Sequence, residues 1–278
     1  MHYQAPVIQS LRVDSPSLRW AIRALTAVVW FSSGLFALFI LAFYLGAWRM
    51  DEMAAWNAFL PGLHADDGRP AATAGIGVHF VFGALILLLG PIQLVRGLRE
   101  RWPQVHRWLG RVYAASAVLT GLGGIGFIAL RGTVGGPMMS AAFALYGVLM
   151  MLAGVQTVRH AMARRFERHR AWAIRLFALA VGSWLYRMYY GLWFAVTDGA
   201  GHTEQFDGWF DLVMDWWFFL PNLLVAEIVI RATQVRLSPV ASGVATGALA
   251  LVIGVLGLAT WFFFTRAWWP AIAWGLGI

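Results

Sequence analysis

The chain of 278 residues contains no cysteine and no lysine. The first absence excludes disulfides, thiolate metal sites, iron–sulfur clusters and haem attachment through C-x-x-C-H. The second excludes a retinal Schiff base, which needs a lysine. Charge is scarce as well: 12% of residues are charged and 60% are hydrophobic, with a mean hydropathy of +0.67. So little polar surface cannot cover a soluble domain. The residues therefore predict an all-α membrane protein.

A helix needs about 20 mostly apolar residues to cross the hydrocarbon. Seven such stretches are present: Trp20 to Trp48, Ala72 to Val95, Leu109 to Leu130, Met138 to Val158, Ala171 to Val196, Leu212 to Ile230 and Val240 to Phe264. They predict one transmembrane domain over residues 1–278. Its core is four helices, spans two to five (72–196), with the first span at 20–48 and the last two within 212–264. The first apolar run is too long for a signal peptide and lacks a small-residue cleavage site, so it is expected to stay as a span.

All 21 basic residues are arginine. Basic residues in short loops stay on the cytoplasmic side during insertion. Sixteen lie in the N-terminal tail or around the loops after stretches two, four and six, among them Arg12, Arg96, Arg159 and Arg236. Arg49, Arg69, Arg131 and Arg266 lie opposite, together with acids such as Asp66, Asp67, Asp198 and Asp211. The expected topology has the N-terminus inside and the C-terminus outside, in a bacterial inner membrane. The net charge of +8 then suits anionic lipid at the inner leaflet, and nucleic acid need not be invoked. Tryptophans at span ends, Trp48, Trp102, Trp108, Trp209, Trp268 and Trp269, fit interfacial belts. "GLGGIG", Gly121 to Gly126, mimics a dinucleotide fingerprint but lies inside a span, where close helix packing is the better reading. Gly243 and Gly247 suggest packing in the same way.

Two inner hairpins repeat a motif. "QLVRGLRERWPQVHR" and "QTVRHAMARRFERHR" share Gln, Val, Arg, His and Arg at one spacing: Gln93, Val95, Arg96, His106 and Arg107 against Gln156, Val158, Arg159, His169 and Arg170. This predicts two parallel helical hairpins about an axis along the membrane normal, with both histidines at one depth. Gly110 and Ala173 follow the histidines at i+4, on the same helical faces, and leave room for something flat. His79 lies between Gly75 and Gly83 in the second span.

The segments "HFVFGALILLLGPIQL", "HRWLGRVY", "HRAWAIRLFAL" and "YRMYY" resemble a bacterial family of predicted membrane proteins catalogued only as a domain of unknown function. The resemblance covers roughly His79 to Trp193. A looser similarity is to the cytochrome b561 group, whose third and fifth helices share a b-type haem. That similarity implies a transmembrane oxidoreductase with one haem b between His106 and His169.

Each candidate carries two readings. His106 and His169 are haem-iron ligands, or interfacial histidines contacting lipid phosphate. Arg107, Arg111, Arg170 and Arg175 neutralise haem propionates, or follow the inner-leaflet bias. His79 lines an outer pocket for a quinone, or makes a structural hydrogen bond. Arg187, near mid-span, needs a partner, and Asp215 and Asn222 are the candidates on span six. Glu227 is expected to pair with Arg231 at i, i+4. Asp207, Asp211 and Asp215 form an acidic stripe favoured at a helix start, with His202 and Glu204 nearby. Three functions stay open: inner-membrane electron transfer through one bis-histidine haem to a quinone or redox partner; a carrier or channel with a polar path around Arg187 and His79; and a non-catalytic assembly factor.

Overall fold

A computed structural model describes residues 15–64, 69–231 and 238–278; Arg12, Asp66, Asp67 and Arg236, which enter the charge distribution, lie outside them. The described residues form helices joined by turns: α1 (Pro16–Arg49), α2 (Pro70–Leu94), α3 (Arg96–Arg101), α4 (Pro103–Arg131), α5 (Gly136–Met162), α6 (Phe166–Ala180), α7 (Gly182–Thr197), α8 (Trp209–Trp217), α9 (Leu220–Arg231), α10 (Pro239–Phe263) and α11 (Trp269–Leu276). Proline opens α1, α2, α4 and α10, where its missing N–H costs no hydrogen bond and its fixed φ suits the helix. Ser15 and Ser238 cap α1 and α10, accepting from the amides of Leu18 (3.4 Å) and Ala241 (3.2 Å).

Six segments are long and apolar enough to cross a membrane: Pro16–Arg49, Pro70–Leu94, Pro103–Arg131, Gly136–Met162, Trp209–Arg231 and Pro239–Leu276. The stretch expected as the fifth span is divided. Its two parts, α6 and α7, meet at Val181 (φ −74°, ψ −11°), and neither reaches the spanning length by itself. A turn at residues 218–219 likewise separates α8 from α9. The two interruptions touch: a Cβ on Gly182 would come within 3.2 Å of the Phe218 carbonyl oxygen.

Helices α2, α4, α5 and α6 pack in sequence, and α6 returns to touch α2, while α1 lies across α2, α10 and α11. Glycines set the spacing. A Cβ on Gly123 would lie 2.5 Å from the Gly75 carbonyl oxygen, one on Gly154 3.0 Å from that of Ala114, and one on Gly121 2.9 Å from that of Gly147. "GLGGIG" and the small face of α4 are therefore contact surfaces between helices, as expected of the former. Gly243 and Gly247 differ from expectation. A Cβ on either would meet nothing within 4 Å, because that face of α10 is turned away from the bundle. Trp268, expected in the interfacial belt, is only 2% exposed. The π-helical turn Phe264–Trp268 rotates it inward, onto Phe263 (5.6 Å) and Phe36 (5.5 Å).

Candidate intramembrane cavity

Helices α1, α2, α4, α5 and α7 enclose a cavity of about 600 Å³, closed in part by Phe218, Phe263 and Trp268. Most of its wall is apolar, including Phe36, Phe39, Leu87 and Met150; the polar exceptions are Tyr44, His79, Thr120, Arg131, Thr133, Tyr146, Ser183, Tyr186, Arg187 and Tyr190. Four of these come from α7 at i, i+3, i+4 and i+7, one face of a helix. The opposite face carries Trp184 and Met188, both buried. The break at Val181 thus starts a helix whose polar stripe looks into the cavity.

Arg187 sits on that stripe. It donates to the Ser183 carbonyl oxygen at 2.9 Å, and its guanidinium carbon lies 5.1 Å from the Phe36 ring centroid and 5.9 Å from that of Tyr186. Among the described residues no carboxylate forms an ion pair with it. The expected link to Asp215 and Asn222 is absent, since the Asn222 amide donates to the Phe218 carbonyl at 2.7 Å. Arg187 and Asn222 each bond the carbonyl four residues back in their own helix, so neither reaches the other. Asp215 is fully buried, and neither of its carboxylate oxygens has a hydrogen-bond partner.

His79 lies on the cavity wall, with Nδ1 3.0 Å from the Thr120 carbonyl oxygen and its ring over Gly124, whose Cβ would stand 2.9 Å from Nδ1. A carbonyl only accepts, so Nδ1 carries the proton and Nε2 of the neutral ring is an acceptor.

At the other end of α7, Asp211 gathers the loop before α8. Its Oδ1 accepts from Tyr190 Oη (2.6 Å) and from His202 Nδ1 (2.7 Å), and its Oδ2 accepts from the amides of Thr203 and Gly208 (both 3.1 Å). Glu204 is exposed and takes no part. The acidic stripe alone did not reveal this, because the donors come from a loop and another helix.

The repeated His-Arg motif has its own geometry. His169 Nδ1 lies 2.9 Å from the Thr157 carbonyl oxygen. His106 Nδ1 is buried without a partner. The space expected over Gly110 is taken by Gln93, whose Oε1 would stand 3.2 Å from a Cβ there. Gln93 Nε2, Gln156 Oε1 and His160 Nδ1 are also buried without partners. Arg175 is committed elsewhere: it pairs with Glu227 through Nε (2.5 Å) and Nη2 (3.1 Å) and lies over the Trp172 ring at 4.7 Å. The expected Glu227–Arg231 contact is the longer one, 3.7 Å, because Arg175 holds the carboxylate in a two-point fork. Arg107 and Arg111 are exposed and Arg170 is half-buried. Among the described residues, no group of three or more His, Cys, Asp or Glu is placed to hold a metal ion.

Neither the curated proteins nor the solved structures contain a match to this chain. Residues 76–230, more than half of its length and the region that builds most of the cavity, match the model of one family, so the chain belongs to the predicted membrane proteins of DUF2306.

Proposed function

We propose that this multi-pass membrane protein binds a lipid-soluble molecule carrying oxygen atoms on a flat ring, of the quinone class, in its central cavity. One observation carries the reading: Arg187 faces a mostly apolar, aromatic cavity, and among the described residues no carboxylate pairs with it. A guanidinium has five donors, and the Ser183 carbonyl takes only one hydrogen bond. An unpaired cation is costly in such surroundings. A ligand oxygen offsets that cost, and the charge in turn favours oxygen that gains electron density. His79 Nε2 accepts from a ligand hydroxyl, and Phe36 and Tyr186 supply faces for a ring. Few polar groups in an apolar pocket of this volume are usual for small-molecule sites.

In this reading α6 and α7 are the halves of one crossing. The chain then spans a bacterial inner membrane seven times, with its N-terminus inside, and spans two to five form the core of two parallel hairpins. The arginine distribution supports that orientation, and a helix broken beside a cavity fits a binding site at mid-membrane.

Titration of the purified protein with ubiquinone-1, read by thermal midpoint, tests the proposal. The midpoint is expected to rise with ubiquinone-1 in the native protein and to stay flat in Arg187→Met. No rise in the native protein, or an equal rise in the variant, overturns the reading.

A second reading rests on the inner histidines. The Thr157 carbonyl fixes the proton on His169 Nδ1 and leaves Nε2 free, the arrangement that orients metal-binding imidazoles, and His106 Nδ1 is buried without a partner. A b-type haem held by this pair would supply one-electron transfer to the quinone. Gln93 stands where the porphyrin edge would lie, so the pair favours this reading and the space beside it does not. A reduced-minus-oxidised spectrum with a haem band that His169→Ala removes supports it, and a colourless protein ends it while leaving the cavity intact. Accumulation of ubiquinone-1 in vesicles without any redox change would instead favour a carrier.

A further inference from the structure

Two residues lining the cavity belong to a hydrogen-bonded chain that leaves it. Tyr186 Oη donates to Tyr190 Oη at 3.2 Å, and Tyr190 Oη donates to Asp211 Oδ1 at 2.6 Å. The same oxygen accepts from His202 Nδ1 at 2.7 Å, and the His202 side chain is 18% exposed. One turn beyond Asp211 lies Asp215, fully buried and without a partner for either oxygen. A structural cap for the loop would need Asp211 alone. A second carboxyl left bare beside it points to protons.

We propose that Tyr186, Tyr190 and Asp211 form a proton path from the central cavity to the outer loop at His202, serving a ligand whose hydroxyl ionises in the cavity. This rests on the quinone-class reading, in which a quinol is the proton donor. The observed donors set the direction. The quinol O–H breaks and its proton bonds to Tyr186 Oη, the Tyr186 proton moves to Tyr190 Oη, and the Tyr190 proton moves to Asp211 Oδ1. Both tyrosines end neutral, the carboxylate becomes a carboxylic acid, and the anion left in the cavity faces Arg187. No electron moves in this step. The proton then rests on Asp211, beside the partly exposed His202 of the loop, and water takes it from there; His202 Nδ1, already a donor to Asp211, holds the carboxyl in place.

The charged and titratable groups around the path are Arg187 on its own helix, His79 on α2, Arg131 at the end of α4, Tyr44 on α1, Tyr146 on α5, and Asp215 with Asp207 on the far side. Arg131 also lines the cavity, and Arg187 is the cation on the path's own helix. It favours the anion produced there, and so favours outward release.

Infrared difference spectra of the whole protein, recorded on adding ubiquinol-1, test the path. Native protein is expected to show the carbonyl stretch of a newly protonated carboxylic acid, shifted in D₂O, whereas ubiquinone-1, which has no proton to give, should produce none. Asp211→Asn, outside the cavity wall, is expected to bind ubiquinol-1 and lose the band. Tyr190→Phe retains the ring packing and is expected to reduce the band at least tenfold. Binding of ubiquinol-1 without the band, or a band unchanged in either variant, overturns the path alone. No binding of ubiquinol-1, read by thermal midpoint, overturns the path and the cavity reading together.

Discussion

The indole nitrogen of Trp184 donates to the hydroxyl of Ser32 at 2.9 Å, and Thr260 donates to the same hydroxyl at 2.7 Å. One serine of α1 thereby ties α7 and α10 together. Trp184 and Ser32 are fully buried or nearly so, so Ser32→Ala leaves an indole N–H without an acceptor. Such a loss costs about 1–3 kcal/mol. Ser32→Ala should lower the thermal midpoint clearly, whereas Ser32→Thr, which keeps the oxygen, should recover part of it. An unchanged midpoint in Ser32→Ala would show that the bond contributes nothing.

Glycines of α4 should separate by environment. Gly123→Val places atoms against the Gly75 carbonyl and the His79 amide, at 2.5 and 2.9 Å already for its Cβ. It should destabilise by about 1–3 kcal/mol or more, as overpacking does. Gly126→Ala meets nothing within 4 Å and should stabilise by roughly 0.5–1 kcal/mol through backbone entropy. Equal effects at the two positions, in denaturation of the purified protein, would contradict the packing described.

Much of this was legible in the sequence, though unevenly. Hydrophobic length located the helices, and the glycines of "GLGGIG" marked the α2–α4 contact. Length could not show that Ala171 to Val196 is broken at Val181, because the residues there are as apolar as in an unbroken span, and the neighbour that Gly182 approaches there, Phe218, lies far along the chain. Arg187 and His79 stood out as polar residues in apolar runs. Their company did not: Arg187 uses Ser183 of its own helix rather than Asp215, and the Asp211 network draws on donors from α7 and the loop. Gln93 was visible in the repeat, yet only the fold shows it lying over Gly110.

The fork between Arg175 and Glu227 joins α6 to α9, with side chains 24% and 31% exposed. A double-mutant cycle with Arg175→Met and Glu227→Gln should give a coupling of about 1 kcal/mol, above that of a fully exposed pair because the geometry is bidentate. Coupling indistinguishable from zero would mean that the pair adds no stability. Arg231→Met, at 3.7 Å and 82% exposed, should change little.

Reporter fusions at Met1 and Ile278 should respond from opposite sides of the membrane if α6 and α7 together make a seventh crossing. Reporters on the same side would leave the six continuous segments as the full set.

The breaks after Ala180 and after Trp217 face each other, with Gly182 against the Phe218 carbonyl. The regular i to i−4 ladder is thus interrupted in two neighbouring helices at one level, while the flanking helices α4 and α5 run through it unbroken. Isotope labelling would register this as a stratum: amides around Val181 to Ser183 and Phe218 to Leu220 should trade hydrogen for deuterium sooner than amides at the same height in α4 and α5. A bundle built this way has a soft waist between two stiff halves.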